Sequence, residues 1–488
     1  MPATHDAVIV GSGPNGLAAA VLLARAGLST LVLERASEPG GGARSAELTL
    51  PGFMHDVCST VHPLAFASPF LERLGLEKHG MTPVHAPSPY AHVIDNERVV
   101  TLERSLDETA KQLGADGEKY RELLGPFVEE FPKLSRMLLG PLRWPADPVL
   151  LARFGLAALR SMTGLADTFA QPEARALLAA AAAHAMRPLS ELATSSFGLV
   201  LAASGHAVGW PLTRGGSRAI TSALLADLHA HGGQLELGRD VGTLSELPPA
   251  RAYLFDVTPR QLLRIAGNAL SPSYRRRLRL FRYGAGVFKM DWALSEPIPW
   301  RNPRCARAAT VHLSGELAVI AESEARVAGG DLAEHPFVLL VQPTRFDDTR
   351  APPGRHVAWA YCHTPPGSTL DLSDRIELEI ERFAPGFRDV ILARAARNCV
   401  DLEQYNPNFI GGDINGGSAE WSQLLSRPMV RLDPYSTSAP NLFLCSSSTP
   451  PGGGVHGMCG YFAARSALRR VFGKPIPSEL DIDQSLAI

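Results

Sequence analysis

The sequence predicts an α/β fold in which a discontinuous Rossmann-type dinucleotide-binding domain is interleaved with a substrate domain of antiparallel sheet and helices. Three observations predict it: a glycine fingerprint follows an apolar run near residue 10, helical periodicity occupies residues 118–204, and β-type segments fill residues 283–365. We expect the dinucleotide domain to comprise residues 1–65, 205–262 and 427–488, and the substrate domain to comprise residues 66–204 and 263–426.

The first element is a strand, turn and helix. An apolar run at residues 7–10 predicts a buried strand, and Gly11, Gly13 and Gly16 follow it with the spacing G-x-G-x-x-G. In this context the first glycine permits a tight turn, the second lets the backbone approach a pyrophosphate, and the third lets the helix pack against the sheet. Pro14 and Asn15 open the helix, where unpaired N–H groups favour a negative charge. The unit therefore predicts a pyrophosphate site.

The second strand, residues 28–33, is followed by an acid and a second glycine-rich turn. Glu34 stands 18 residues after Gly16, where a carboxylate accepts ribose hydroxyls and disfavours a 2′-phosphate. The turn after Arg35 brings more backbone N–H groups and a guanidinium to the same pyrophosphate. Its expected cofactor-binding residues are Gly41, Gly42, Ala43 and Arg44.

This paired glycine arrangement resembles the N-terminus of the FAD-dependent amine oxidase and phytoene desaturase superfamily. The resemblance implies FAD as the cofactor, because the second turn directly after the ribose-binding strand separates FAD sites from NAD sites. It also implies that further FAD contacts come from the middle and the end of the chain.

The composition is that of an ordinary globular protein. The chain has 488 residues, 45% hydrophobic and 20% charged, with a formal net charge of −2, which gives no indication of a nucleic-acid partner. The first strand leaves no room for a signal peptide, and no apolar run is long enough to span a membrane, so we expect a cytoplasmic protein. Six scattered cysteines without a C-x-x-C pair argue against disulfides and a metal site.

Two interpretations of residues 134–169 stay open. Arg136, Arg143, Arg153 and Arg160 are interspersed with Met, Leu, Phe and Trp side chains, as in helices that lie on a membrane surface and admit a lipophilic substrate. The alternative is an ordinary lid helix with its polar face in water, since apolar periodicity alone does not say what covers that face.

The middle segment resembles the superfamily's Pro-x-x-Gly-Gly element, in which Gly215 and Gly216 open a helix. We expect the helix at residues 220–231 and a strand from residue 235 that ends near Val241, whose backbone meets the adenine. A buried strand at 252–257 then leads to Thr258. This connection is too short for a second dinucleotide domain, which argues against an NAD(P) site.

The substrate domain is expected to hold a hydrophobic small molecule. Segments between residues 283 and 365 have the Val, Phe, Tyr and Trp content of strands, and we expect them to form one wall of a cavity, with the lid helices forming the other. Trp292, Trp300, Phe337 and Trp359 either line this cavity or belong to the core.

The end of the chain carries two further glycine-rich segments. Residues 405–417 resemble the N-P-N…G-G segment on the substrate side of the flavin in phytoene desaturases, with Asp413 between glycines. The segment before the last helix, residues 458–472, resembles the C-terminal FAD signature of phytoene desaturase-like and carotenoid ketolase-like members. Its expected contacts are Ser447, Gly453, Gly454, Val455 and His456. Cys459 does not have the spacing of covalently tethered flavins, so we expect non-covalent FAD.

These features predict an FAD-dependent oxidoreductase that dehydrogenates a lipophilic, polyene or isoprenoid-like substrate by hydride transfer to flavin N5, with oxygen or a quinone as the electron acceptor. If a catalytic acid or base exists, the candidates are His206, Asp413 and His456. The alternatives are a carotenoid ketolase or isomerase, an amine oxidase-like enzyme, and a flavin-binding interaction protein with little turnover.

Overall fold

The protein is built around two β-sheets, one parallel and one mostly antiparallel. A computed structural model describes residues 4–484. In chain order the strands are β1 (His5–Val10), β2 (Thr30–Leu33), β3 (Ser45–Glu47), β4 (Met54–Asp56), β5 (Pro83–Val84), β6 (Ser88–Val93), β7 (Val99–Leu102), β8 (Leu212–Thr213), β9 (Gln234–Glu236), β10 (Ala250–Phe255), β11 (Gly286–Leu294), β12 (Ala308–Leu313), β13 (Val338–Val341), β14 (His356–Thr364), β15 (Ile391–Arg397) and β16 (Leu442–Leu444).

The helices either cover these sheets or form the lid. In chain order they are α1 (Pro14–Arg25), α2 (Pro63–Phe66), α3 (Pro69–Leu74), α4 (Leu106–Gln112), α5 (Gly117–Glu129), α6 (Phe131–Leu138), α7 (Pro148–Ala158), α8 (Met162–Ala166), α9 (Pro172–Ala182), α10 (Thr194–Ala207), α11 (Arg218–Ala230), α12 (Pro259–Ala266), α13 (Pro272–Leu278), α14 (Leu317–Ala328), α15 (Ser373–Phe383), α16 (Cys399–Tyr405), α17 (Trp421–Leu424) and α18 (Met458–Ala467).

The parallel sheet has the order β16-β10-β1-β2-β9, so its strands come from the beginning, the middle and the end of the chain. Helices α1, α11 and α18 cover one face, and α12 and α13 cover the other. Strands covered on both faces are continuously apolar, as residues 7–10 of β1 and 31–33 of β2 are. The carboxyl ends of parallel strands meet at one edge, which is where such sheets bind ligands.

One strand end differs from the sequence expectation. Strand β9 ends at Glu236, and Gly238, with a φ of +68°, turns the chain before it reaches Val241. Val241 therefore lies outside the strand, after the turn at Gly238. Only glycine adopts this left-handed conformation without strain, which is why the strand stops where it does.

The second sheet has the order β15-β11-β14-β13-β12-β6-β7. The four strands expected between residues 283 and 365 are β11 to β14. Strands β6, β7 and β15 were not expected, and β6 pairs with β12 in parallel. The sequence of β15, ILARAAR, alternates alanine with arginine and has little intrinsic β-propensity, so only its pairing with β11 makes it a strand. The mixed α/β architecture is confirmed.

The lid consists of helices α5 to α10, which pack over one face of the mixed sheet and confirm the helical pattern of residues 118–204. Most buried residues of α9 are alanines, and because their side chains are small, α9 can approach α10 closely. At Gly198 in α10, an added Cβ would lie 3.0 Å from the Leu178 carbonyl oxygen. The two helices thus form a tight layer above the sheet.

A buried ion pair joins the small β3–β4 sheet to the mixed sheet. Arg350, between β13 and β14, contacts the Asp56 carboxylate at 2.8 Å, and both side chains are fully buried. Ser45 Oγ and the Ser217 backbone N–H donate to Asp56 at 2.6 and 2.8 Å. Burial by itself raises the pKa of Asp56, but Arg350 and these hydrogen bonds outweigh it and lower the pKa to about 2.

Replacing Arg350→Leu should lower the free energy of unfolding by roughly 3–5 kcal/mol, because it leaves a buried carboxylate without its counter-charge. Urea unfolding followed by circular dichroism measures this. The matched control is Arg214→Leu, which breaks an exposed pair with Asp348 and should cost at most about 1 kcal/mol. Equal stabilities of the two variants would contradict the assigned role of Arg350.

The same pair predicts a pH dependence. The folded pKa of Asp56 lies below its usual 3.8, so the pair stabilises the fold above that value and loses its contribution as the pH falls toward 2. The stability difference between the wild type and Arg350→Leu should therefore shrink over that interval. A difference that grows on acidification would contradict the sign.

Candidate dinucleotide and substrate site

One cavity of about 740 Å³ begins at the carboxyl edge of the parallel sheet and continues between the lid and the mixed sheet. Residues from all three parts of the chain line it: Gly13 and Arg44 from the N-terminal part, Thr258 from the middle, and Gly453 from the C-terminal part. Turns 440 residues apart in sequence therefore face the same space.

The first glycine turn is fixed by close approach. Gly11 has a φ of +101°, and a Cβ on Gly13 would lie 2.6 Å from Asp256 Oδ2. A Cβ on Gly16 would lie 2.2 Å from the Gly11 carbonyl oxygen. Gly11 and Gly13 line the cavity, together with Pro14 and Asn15. Gly16 lies behind them, where it lets α1 pack against the turn.

The second glycine turn touches the first. Gly41 has a φ of +56°, and a Cβ there would lie 3.1 Å from Gly13 Cα. The Gly40 N–H donates to the Ser12 carbonyl oxygen at 3.1 Å. Gly41, Gly42 and Ala43 line the cavity beside the first turn. Two segments of backbone without side chains thus form one wall of the expected pyrophosphate site.

Glu34 is surrounded by donors. Its Oε2 accepts from the Ser12 N–H at 2.9 Å and the Ser12 hydroxyl at 2.6 Å, and its Oε1 accepts from the Ala36 N–H at 2.9 Å. Arg44 donates to the same Oε1 at 3.1 Å. A carboxylate has about four acceptor positions, so a ribose hydroxyl at Glu34 must replace one donor. Arg44 has the longest of these contacts and a flexible side chain, which makes it the donor best able to leave.

Asp256, which was not among the sequence candidates, lies at the centre of this site. It follows β10 directly, lines the cavity, and its Oδ2 accepts from the Gly16 N–H at 2.9 Å. Burial raises its pKa to about 7; the Gly16 hydrogen bond lowers it, and the Glu34 charge raises it. The carboxyl is thus partly protonated near neutral pH, which reduces its repulsion of a phosphate. The signal in the sequence was an acid at the end of the third buried strand.

The C-terminal signature meets the first turn through helix packing. A Cβ on Gly460 in α18 would lie 1.9 Å from the Asn15 carbonyl oxygen, so α1 and α18 are in direct contact at their N-terminal ends. The predicted residues of this segment all line the cavity: Ser447, Gly453, Gly454, Val455 and His456.

His456 lines the cavity, but both of its ring nitrogens are engaged. The Met458 N–H donates to Nδ1 at 3.0 Å, so Nε2 carries the proton and donates to the Gly452 carbonyl oxygen at 3.2 Å. Burial lowers its pKa to about 4. His456 therefore fixes the turn that starts α18 and has no free nitrogen to act as an acid or base.

The other two catalytic candidates do not line the cavity. His206 is buried in the lid, where its Nε2 lies 2.9 Å from the Tyr120 hydroxyl. Asp413 accepts backbone N–H bonds from Gly284, Asn415 and Gly417, each at 2.8 Å, and so shapes the loop behind the cavity.

The remaining predicted cofactor residues divide into two groups. Arg35, Val241 and Thr258 line the end of the cavity nearest the parallel sheet. Gly215 and Gly216 do not line it. A Cβ on Gly216 would lie 2.5 Å from Ser45 Oγ and 2.8 Å from Asp56 Oδ1, so this glycine serves the packing around the Asp56–Arg350 pair.

Among the aromatic candidates only Trp359 lines the cavity, next to Tyr361, with ring centroids 5.7 Å apart and nearly parallel. Trp292, Trp300 and Phe337 lie elsewhere in the core. Cys58 is the cysteine that lines the cavity, while Cys459 is buried outside it and burial raises its pKa to about 12. A protonated thiol away from the cavity does not favour a covalent tether.

Several polar atoms that line the cavity have no hydrogen-bond partner within residues 4–484. Asn15 Oδ1, Thr258 Oγ1 and the Tyr405 hydroxyl are buried without a hydrogen bond, and all three residues line the cavity. Buried polar atoms normally have partners, so this set fits a polar ligand that supplies them. Within residues 4–484, no group of three or more His, Cys, Asp or Glu side chains is arranged to hold a metal ion.

Comparison with known proteins agrees with this geometry. Residues 9–74 match the NAD(P)-binding Rossmann-like domain. The chain is 26% identical to the rat pyridine nucleotide-disulfide oxidoreductase domain-containing protein 2, over 95% of this chain and 93% of that protein. It is 22% identical to the lycopene-forming phytoene desaturase of a Paracoccus species, over 94% of this chain and 96% of that protein.

Solved structures establish the fold. An oxidoreductase from Methanosarcina mazei matches with a TM-score of 0.65 at 14% identity, covering 95% of this chain and all of that one. The cyclohexylamine oxidase of Brevibacterium oxydans matches with a TM-score of 0.58 at 15% identity, covering 97% and 98%. The chain has the fold of FAD-dependent oxidoreductases. Membership of the amine oxidase and phytoene desaturase superfamily, and the branch within it, stay predictions.

Replacing Gly13→Val should abolish dinucleotide retention, because even its Cβ would overlap Asp256 Oδ2. The ratio of flavin absorbance near 450 nm to protein absorbance measures occupancy after purification. Gly267→Ala is the matched control, since an added Cβ there meets nothing within 4 Å. Full occupancy in Gly13→Val would contradict the assignment of the first turn.

Proposed function

We propose that this protein is an oxidoreductase with non-covalent FAD that dehydrogenates a lipophilic substrate. The observation that carries the proposal is the continuity of the cavity. Its parallel-sheet end has two glycine turns and an acid for a dinucleotide, and its other end is an apolar chamber. The similarity to proteins named as oxidoreductases supports redox chemistry in such a cavity.

The residues of the chain fit FAD in three ways. The touching turns at Gly13 and Gly41 present backbone to a pyrophosphate, and Glu34 and Arg44 are placed for a ribose and a phosphate. The N-termini of α1 and α18 both face the cavity, where helix dipoles stabilise negative charge. When bound, FAD supplies the hydride acceptor at its N5 atom.

The chain's own part in the reaction is to bind, orient and exclude water. The chamber lies between α10 and the mixed sheet and is lined there by Phe197, Val200, Leu339 and Val341, with Trp359 at the end nearer the glycine turns. Such a surface positions an apolar substrate and keeps water from the reacting carbon. Among the described residues, the acids that line the cavity are Glu34, Asp240 and Asp256, all at the dinucleotide end. The chamber therefore contains no carboxylate that could bind the cation of an amine substrate.

An amine oxidase-like activity is the second candidate. The parallel Trp359 and Tyr361 rings support it, since aromatic faces attract cations. However, the Lys289 ammonium lies 5.2 Å from the Trp359 ring and 2.5 Å from the Asp291 carboxylate, so the chain already supplies a cation there. The absence of an acid in the chamber favours the neutral substrate.

Anaerobic mixing of the purified flavoprotein with detergent-solubilised phytoene, a neutral polyene, and separately with cyclohexylamine distinguishes these candidates. We expect the neutral polyene to bleach the oxidised flavin absorbance and the amine to leave it unchanged. Bleaching by the amine alone would support the amine oxidase. Bound FAD that responds to no neutral lipophile or amine would instead support a binding protein with little turnover.

The same reduced protein tests the electron acceptor, which we propose to be oxygen or a quinone. Reoxidation is followed at 450 nm after admission of air or of a soluble quinone. Fast recovery with either one identifies it as the acceptor. Recovery with neither would contradict this part of the proposal. Recovery of the flavin absorbance before any acceptor is added, with the substrate mass unchanged, would favour the isomerase alternative, because the flavin has then returned its two electrons and the hydrogen to the substrate.

We further propose that the lid contacts a lipid surface at the mouth of the chamber. Leu142 and Leu159 line the cavity and are exposed, and Trp144 and Leu156 nearby are 91% and 80% exposed. Arg153 and Arg160, which lie among or next to them in sequence, are exposed as well. Clustered exposed apolar and basic residues are typical of helices that lie in a membrane interface. No helix in the described part of the chain is long and apolar enough to cross a bilayer.

The double variant Trp144→Ser with Leu156→Ser should lose most of its recovery with floated liposomes containing anionic phospholipid, because it removes the two most exposed apolar groups of the lid. The control is Leu370→Ser with Leu378→Ser, which changes exposed leucines elsewhere and should float like the wild type. Wild-type protein that stays unfloated, or that forms a dimer through these residues in light scattering, would contradict the proposal.

A further inference from the structure

The far end of the apolar chamber carries a polar group that the proposed function does not use. His184, just after α9, lines the chamber, and its Nε2 lies 3.2 Å from Nε2 of His312 on β12. The edge of the Trp210 ring packs against His184, and the Phe337 ring stacks on His312. Both imidazoles are therefore held in place by aromatic neighbours.

The sheet beneath the chamber places this group at a defined distance from the aromatic pair. His312 lies opposite Leu339, and Leu339 lies opposite Tyr361, so these residues form one row across β12, β13 and β14. Two strand spacings separate His312 from Tyr361, about 10 Å. Leu339, between them, is apolar. A substrate lying on this row meets aromatic rings at one end and an imidazole at the other.

The contact between the two histidines determines which ring nitrogen of His184 carries its proton. Exactly one of the two Nε2 atoms carries a proton, because a neutral imidazole has one donor and one acceptor. His312 Nδ1 is buried without a partner, and an orphaned N–H is rarer in proteins than an unfilled acceptor. The proton of His312 therefore sits on Nε2 and is donated to His184. His184 then carries its own proton on Nδ1, an atom that makes no hydrogen bond within the described chain.

The surroundings keep His184 neutral. Burial, and then the nearby His363, lower its pKa to about 3. Thr310, two residues before His312 and on the same face of β12, also lines the chamber and offers a neutral hydroxyl. The polar end of the chamber thus suits an uncharged hydrogen-bond acceptor of the substrate. It has no cation that could bind a substrate carboxylate.

We infer that His184, positioned by His312 at the opposite end of this row from Tyr361, binds a carbonyl or hydroxyl oxygen of the substrate through its Nδ1–H. This inference rests on the proposed function, because it assigns the substrate class of the same chamber. The substrate is then a lipophilic molecule with one neutral oxygen group remote from the carbon that is oxidised. A pure hydrocarbon such as phytoene leaves the His184 donor without a partner, so it should still reduce the flavin but bind more weakly than a lipophile that carries such an oxygen.

Isothermal titration calorimetry of the FAD-bound protein tests this with 2-octanone, octylamine and octanoate as probes. The wild type should bind 2-octanone at least tenfold more tightly than the two charged probes. His184→Phe, which keeps the ring but removes the donor, should lose about tenfold in affinity for 2-octanone. His229→Phe, the same exchange at an exposed histidine of α11 that does not line the cavity, is the matched control and should bind like the wild type.

Two further variants separate binding from packing. His184→Gln retains an N–H donor and should restore part of the affinity that His184→Phe loses. His312→Leu leaves His184 in place but removes its partner, and should weaken 2-octanone binding while the thermal midpoint and FAD content stay close to those of the wild type. Equal affinities for 2-octanone in the wild type and His184→Phe, or tighter binding of octanoate or octylamine, would overturn the inference.

These outcomes are distinguishable from those of the proposed function, because calorimetry requires no turnover. Flavin bleaching by a neutral lipophile, together with an unchanged affinity for 2-octanone in His184→Phe, would overturn only the inference. Selective 2-octanone binding through His184 in a protein whose flavin no lipophile reduces would overturn only the proposed dehydrogenation.

Discussion

The close approach of backbone at Gly13, Gly16 and Gly41 is the constraint on which the rest of the structure depends. No side chain fits at these positions: a Cβ would lie within 2.2 to 3.1 Å of a neighbouring atom. This contact brings the two N-terminal turns together, and Gly460 does the same for α18 against α1. Because the strands between them belong to one parallel sheet, three distant segments of the chain end at the same edge. The dinucleotide end of the cavity is a consequence of that convergence.

Charge is divided along the cavity in a way that determines its chemistry. The acids and most of the arginines lie at the dinucleotide end, where Glu34 and Arg44 pair and Asp256 is partly neutralised by burial. The chamber beyond the aromatic pair has no acid and ends in a neutral imidazole. A flavin can supply the redox step, so this chamber needs only to position a carbon and exclude water. The engaged state of both His456 nitrogens agrees with a site that lacks a dedicated acid or base.

Features set by local sequence were predictable, and features set by distant contacts were not. The glycine fingerprint, Glu34, the lid helices and β11 to β14 follow from spacing and periodicity. Strands β6, β7 and β15 depend on partners far away in the chain, and β15 has alanines where strand formers are usual. His206 was a candidate because it lies beside the Pro-x-x-Gly-Gly element in sequence, yet α10 places it in the lid core, in contact with Tyr120. Asp256 follows a predicted strand and could have been proposed from that position, whereas the role of His184 depends on which residues line the chamber in three dimensions.

A crystal structure of the protein purified with its own cofactor tests the central claim most directly. The account predicts one FAD in the cavity, with its pyrophosphate at the N-terminus of α1 between the turns of Gly13 and Gly41, and its isoalloxazine ring between Gly453 and the Trp359–Tyr361 pair. Density for a dinucleotide at another place in the protein would contradict this account. An empty cavity would also contradict it if the purified protein binds no dinucleotide in solution.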